Sequence, residues 1–188
     1  MSDAPRMQPA EPPFSPDVQA WLDRTMPTGR APLTLFTTMA RDTRLFTRFF
    51  AGGLLDRGHL TLRQREIVID RTTALCGAEY EWGVHIAFFG ARVQLTPEQQ
   101  HATVHADAQA ACWADDERLL IRLCDALHRD ATVDDTLWQA LRAQFSEPAL
   151  LEVLMLCGQY HTVSYLANAL RLPLEFDAAR FPLAATAS

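Results

Sequence analysis

The chain has 188 residues, 48% hydrophobic and 21% charged, a balance that fits one globular domain and not a disordered segment. Seventeen Lys and Arg against 23 Asp and Glu leave a net charge of −6 with no basic run, so a nucleic-acid partner, which needs a basic face, is not expected. No stretch of about 18 apolar residues is present to span a bilayer, and a membrane partner is not expected either.

The first residues, MSDAPRMQPAEPPFSP, hold five prolines and no apolar run. They read as an extended arm over 1–14, free or laid on a neighbouring subunit, and not as a secretory signal. Helical periodicity then dominates over 15–175. Asp17 to Met26 is a short amphipathic piece with Ser15 as N-cap and Pro16 at its first position. Leu35, Met39, Leu45, Phe46, Phe49 and Phe50 follow at spacings of three and four, which predicts one or two helices. Gly52, Gly53 and Gly58 mark a loop.

Thr61 with Gln64 three residues on is a capping signature for a helix running to Cys76-Gly77. The stretch GAEYEWGVHIAFFG predicts the next helix, ending near Gly90. Thr96 and Pro97 start another, Asp115 to Arg129 is strongly amphipathic, and Asp134 to Phe145 is a further helix. Pro148 opens a long last helix that Pro173 stops. The tail over 176–188 reads as a loose end. With no sustained period-two alternation, the fold class is all-α, about seven or eight helices.

The chemistry concentrates at EYEW. Residues four apart share a helix face, so Glu81 and His85 point together, and a Glu within reach of a His shifts its proton affinity. The same spacing also suits an ordinary solvated pair. Glu66, one turn before Asp70 in the preceding helix, comes toward His85 if the Cys76-Gly77 break folds the two helices into an antiparallel pair. Glu81 and His85 with Glu66 or His161 make only an incomplete ligand set for a divalent ion, so no metal and no cofactor is expected. Cys76, Cys112, Cys124 and Cys157 are widely separated, without CxxC or a Cys/His pair at zinc spacing, and read as free thiols of a reducing cytoplasm. His161 reads as a hydrogen-bonded core histidine, and His59, His101, His105 and His128 as loop or surface residues.

The run LTLRQREIVIDRTTALCGAEYEWGVHIAFFGARVQLTPEQ resembles the carboxymuconolactone decarboxylase family, which includes alkylhydroperoxidase D. ALHRDATVDDTLWQALRAQFSEPALLEVLMLCGQYHTVSYLANALRLPLE is similar to the C-terminal helices of its EYEW-bearing members. The resemblance implies a helical domain in which a Glu of one helix faces a thiol–histidine motif in the next. Peroxidase-type members carry cysteines seven and four residues before that histidine. Here those positions are Ala78 and Glu81, so the relay's Glu66 and His85 are present without its redox thiols, and Cys76 is displaced by two residues. What the resemblance implies is a cytoplasmic, decarboxylase- or lyase-like enzyme acting on a small organic acid or lactone by general acid–base catalysis. His85, Glu81 and Glu66 would be catalytic. Tyr80, Trp82, Glu79 and Arg71 would bind substrate, with Arg65 an alternative holder of its carboxylate. Family members form homo-oligomers, which implies a dimer, trimer or hexamer. The rivals are a peroxidase-related protein using Cys76 and a non-catalytic oligomeric module that binds a small molecule.

Overall fold

Residues 4–184 are described by a computed structural model. Its centre is the helix that begins at Thr61. The Thr61 hydroxyl accepts the Gln64 amide while the Gln64 side chain accepts the Thr61 amide, so two orphan donors of the first turn are satisfied together. In the order of the chain, the helices among the described residues are α1 (Pro16–Thr25), α2 (Thr34–Met39), α3 (Thr43–Ala51), α4 (Leu62–Leu75), α5 (Glu79–His85), a π-helical segment (Ile86–Gly90), α6 (Pro97–His105), α7 (Asp115–Asp130), α8 (Asp135–Gln144) and α9 (Glu147–Leu170). No strand occurs among these residues. The region of Leu35 to Phe50 forms two helices, and the predicted EYEW helix changes to π geometry straight after His85.

Helix α4 packs on α5, α6, α7 and α9, which leaves it no solvated face. Nine of its residues are buried, and Arg65, Glu66, Asp70 and Arg71 are among them. Buried charges need partners: Arg65 pairs with Glu66 inside the helix, while His85 of α5 meets Glu66 and Asp125 of α7 meets Arg71, so this helix fixes how its neighbours sit. It ends where Gly77 takes φ +62. The Ala78 amide reaches back 2.8 Å to the Thr73 carbonyl and the Gly77 amide to Ala74, a Schellman turn that needs glycine at the left-handed position. That turn brings α5 onto α4.

Three apolar clusters fill the interior. The largest joins α4 and α5 to α7, α8 and α9 through Val68, Leu120, Leu141, Leu156 and Val163. A second gathers Ile67, Trp82, Leu95, Trp113 and Ile121. The third holds α1 to α3 through Val18, Leu22 and Phe46, with Trp21 edge-on to Phe36 and Phe46.

Both ends of the described chain lie on this body. The Arg6 amide bonds the Leu170 carbonyl and the Ala10 amide bonds Thr37, so the proline-rich arm runs over its own subunit. The tail differs from the loose end expected of it. The Ala179 amide donates to the Gly83 carbonyl at 3.0 Å, Arg180 pairs with Glu79, and Phe181 meets the Trp82 ring at 5.2 Å. A Cβ at Gly83 would collide with the Ala179 carbonyl oxygen, so glycine is what lets the tail lie so close. Residues 1–3 of the arm and 185–188 of the tail fall outside the described residues.

Candidate active site

His85 is the last residue of α5, buried against α4 and α9. Its Nδ1 donates to Glu66 Oε2 at 2.7 Å. Its Nε2 lies 3.0 Å from the Tyr160 hydroxyl of α9 and 3.4 Å from Glu81 Oε1 one helical turn back. Glu66 Oε1 in turn accepts from Nε and Nη2 of Arg65, each at 3.2 Å, and Arg65 also holds the Leu55 carbonyl of the preceding loop. A chain of polar groups thus runs from that loop through α4 to an imidazole wedged between α5 and α9. The proximity of Glu66 to His85 expected from a folded-back α4–α5 pair is present as a direct hydrogen bond.

Opposed effects act on the imidazole. Burial, the largest, pushes its pKa down. The charge of Glu66 and its hydrogen bond, followed by those of Glu81, push it up, and the net result is a rise from 6.5 to about 10. At neutral pH the ring is therefore an imidazolium, its two N–H groups directed at Glu66 and toward Glu81 and Tyr160. Asp70, one turn along α4, is fully enclosed. Desolvation raises its pKa well above the usual carboxyl value, against His85 and with the help of Glu66. One of its oxygens has no hydrogen-bond partner among the described residues. Burial also raises the Tyr160 phenol, with Glu81 and Glu66 adding to it.

Next to this cluster opens a cavity of about 820 Å³, of the size that takes a small organic molecule. His85, Glu81, Arg65 and Tyr160 reach it, and most of the remaining wall is apolar, with Leu35, Phe36, Phe50 and Val84 contributing. Glu81 lines the cavity, and its Oε2 is buried without a partner among the described residues. The π-helical segment follows His85 directly and contributes Phe88 and Phe89. Phe89 lies stacked on the His85 ring at 5.5 Å, and Arg30 sits 4.3 Å over Phe88. Segments of this kind recur where side chains must be re-aimed at a site.

The four residues expected to bind substrate do not line this cavity. Tyr80 donates to Glu175 at 2.6 Å and accepts the Leu35 amide at 3.0 Å, so it ties α5 to the start of α2. Trp82 gives its indole N–H to Thr103 in the second cluster. Glu79 anchors the tail through Arg180 and the Phe181 amide. Arg71 is consumed by Asp125 and by the Thr103 and Ala106 carbonyls. Spacing alone could not separate them from the site, because each is a buried or half-buried polar group on the same two helices. Conversely, Tyr160 and Arg92 line the cavity without having been singled out. Tyr160 has a detectable signal, a phenol amid the apolar residues of α9 whose hydroxyl needs a partner. Arg92, exposed just past the π segment, has none. No cysteine lines the cavity among the described residues, and Cys76 Sγ lies instead 3.9 Å from His128 Nδ1.

Comparison with known proteins agrees with this architecture. Residues 43–121 match the profile of the carboxymuconolactone decarboxylase family. No curated protein gives a significant sequence match. Among solved structures, an uncharacterized peroxidase-related protein from Silicibacter sp. TM1040 superposes with a TM-score of 0.78 at 15% identity, over 96% of this chain and 97% of that one. The alkylhydroperoxidase AhpD core of a peroxidase-related protein from Ralstonia eutropha JMP134 gives 0.71 at 19% identity, over 85% and 83%. The debrominase Bmp8, in complex with 2,3,4-tribromopyrrole, gives 0.69 at 16% identity, over 91% and 92%.

Proposed function

We propose that this chain, whose residues 43–121 match the carboxymuconolactone decarboxylase family and whose fold is like that of AhpD-type proteins, is an acid–base enzyme of the decarboxylase type, acting on a small organic acid or lactone. One observation carries the reading: a buried imidazolium, held by Glu66, faces a mostly apolar cavity beside Glu81 and Tyr160. A lactone acid that loses CO2 breaks its carbon–carboxyl bond, and the electron pair passes into the conjugated lactone carbonyl. The resulting carbanion equivalent needs a proton at carbon. His85, charged at neutral pH, supplies that proton from Nε2, and Glu66 holds the ring through Nδ1 while it does so. Glu81 accepts from the same edge and returns a proton from solvent. The apolar wall favours release of neutral CO2 over retention of a carboxylate.

In this reading Arg92 takes the role first given to Arg71, because it lies at the cavity and no partner among the described residues occupies its guanidinium. A planar guanidinium suits a carboxylate bound bidentately. The thiol-peroxidase rival loses support, since Cys76 lies away from the cavity. The homo-oligomeric assembly and the cytoplasmic setting implied by the family resemblance stay part of the proposal. Exposed Leu151, Met155 and Tyr165 on α9 form an apolar stripe suited to self-association.

The test is loss of 4-carboxymuconolactone with wild type and His85→Gln side by side. Turnover by the wild type, reduced about 10²- to 10⁴-fold in the variant, is expected of a general acid. Equal rates in the two would remove His85 from the chemistry, and no turnover by either would favour the small-molecule-binding module.

A further inference from the structure

At the C-terminal end of α4, opposite in role to the cavity, three potential ligands meet. Cys76 caps α4, His128 lies in the last turn of α7, and His161 is in the middle of α9. Nδ1 of His128 is 3.2 Å from Nε2 of His161 and 3.9 Å from Sγ of Cys76. All three atoms lie within 4.8 Å of one another. An ion bound tetrahedrally at about 2.0–2.1 Å from nitrogen and 2.3 Å from sulfur holds such atoms roughly 3.3–3.6 Å apart, so small side-chain rotations close the set.

The orientation of His161 makes the cluster more than a coincidence of position. Its Nδ1 donates to the Cys157 carbonyl one turn back at 2.8 Å. In the neutral ring this fixes the proton on Nδ1 and leaves the Nε2 lone pair directed at His128 and Cys76. A backbone carbonyl holding the far nitrogen is how ligating histidines are commonly aimed. Asn168 likewise holds the Cys76 carbonyl at 2.9 Å. His128 is exposed and the other two half-buried, so an ion reaches the site from solvent.

We propose that Cys76, His128 and His161 bind one zinc-class transition-metal ion, with a fourth position open to water. Two imidazoles and a thiolate are the donors that a borderline-soft divalent ion prefers over magnesium or calcium. On binding, the Cys76 thiol gives its proton to solvent as sulfur takes the metal, and no change in oxidation state is involved. The ion clips the end of α4 to α7 and α9, a stabilising link separate from the His85 cavity. Tyr160 and His161, neighbours on α9, serve the two sites on different faces of the helix.

Equilibrium dialysis of the full chain against zinc, with metal measured per chain, tests this. Wild type is expected to retain one ion, and added zinc is expected to raise its melting temperature. Cys76→Ser and His161→Gln should each weaken retention by more than the roughly 10- to 100-fold that losing a supporting hydrogen bond costs. Cys112→Ser, which alters a thiol elsewhere, should not change it. Cobalt-loaded wild type should show a thiolate-to-metal charge-transfer band that Cys76→Ser lacks, while circular dichroism establishes that each variant is folded. No ion retained by wild type, or equal retention by folded Cys76→Ser, would overturn the proposal. Neither readout depends on turnover, so failure here and failure of the decarboxylase reading are distinguishable.

Discussion

His85 keeps its second proton because two carboxylates outweigh the cost of burying a charge, and this has a consequence for stability. In the unfolded chain the ring titrates near 6.5, and in the folded protein at about 10. Between those values the native state binds the extra proton, so its contribution is complete below about 6.5 and is lost as pH rises toward about 10. We expect the melting temperature of the wild type to fall across that window and the slope to flatten in His85→Gln. A slope unchanged by the substitution would show that the ring is not the titrating group. Asp70 is a second case. Its folded pKa is raised by burial, so the native state favours the neutral acid and is penalised as pH rises through the carboxyl range. Asp70→Asn keeps the shape without the ionisation, and is expected to be at least as stable as wild type at neutral pH in chemical denaturation. A strongly destabilised Asp70→Asn would mean that Asp70 is held as an ion.

At the scale of elements, caps and turns decide where chemistry is placed. The reciprocal Thr61–Gln64 bonds start α4 one turn ahead of Glu66, so Thr61→Ala is expected to cost about 1 kcal/mol in urea denaturation. Its effect on the site should be small, because α4 is held by packing on four neighbours. Gly83 is different. It sits in the middle of α5, where alanine is ordinarily the better helix former, yet a Cβ there meets the Ala179 carbonyl oxygen. Gly83→Ala should therefore release the tail from α5. The expected readout is faster proteolysis or hydrogen exchange around Ala179 and Phe181, with the rest of the chain unchanged. Equal protection of the tail in the variant would show that α5 accommodates the methyl group without giving up that contact.

For the whole molecule, one helix organises the rest. Helix α4 places Glu66 and Arg65 on the side of the cavity, Arg71 against Asp125 of α7, and Cys76 beside His128 and His161. Helix α9 returns across it and gives Tyr160 to His85, while Leu151, Met155 and Tyr165 point outward. That outward stripe is the basis for expecting self-association. Wild type should sediment as an oligomer, and Met155→Glu should lower the mass. A monomeric wild type would leave the stripe without that role.

The sequence by itself determined the helical class, the starts of α4 and α6, and the shared face of Glu81 and His85, while the approach of Glu66 to His85 depended on the chain folding back at Cys76-Gly77. Those features depend on local rules: caps with fixed offsets, a glycine at a left-handed turn, and a four-residue period that puts Glu81 and His85 together. Only the tertiary structure decided which polar groups of α4 and α5 face the cavity. Tyr80, Trp82, Glu79 and Arg71 carry the same local signature as their neighbours, and their partners Glu175, Thr103, Arg180 and Asp125 lie 21 to 101 positions away. Tyr160 reaches His85 across 75 positions, and His128 meets His161 across 33. The physical reason is the same throughout. Helical periodicity gives the face a residue occupies, and the packing of other helices gives what that face meets.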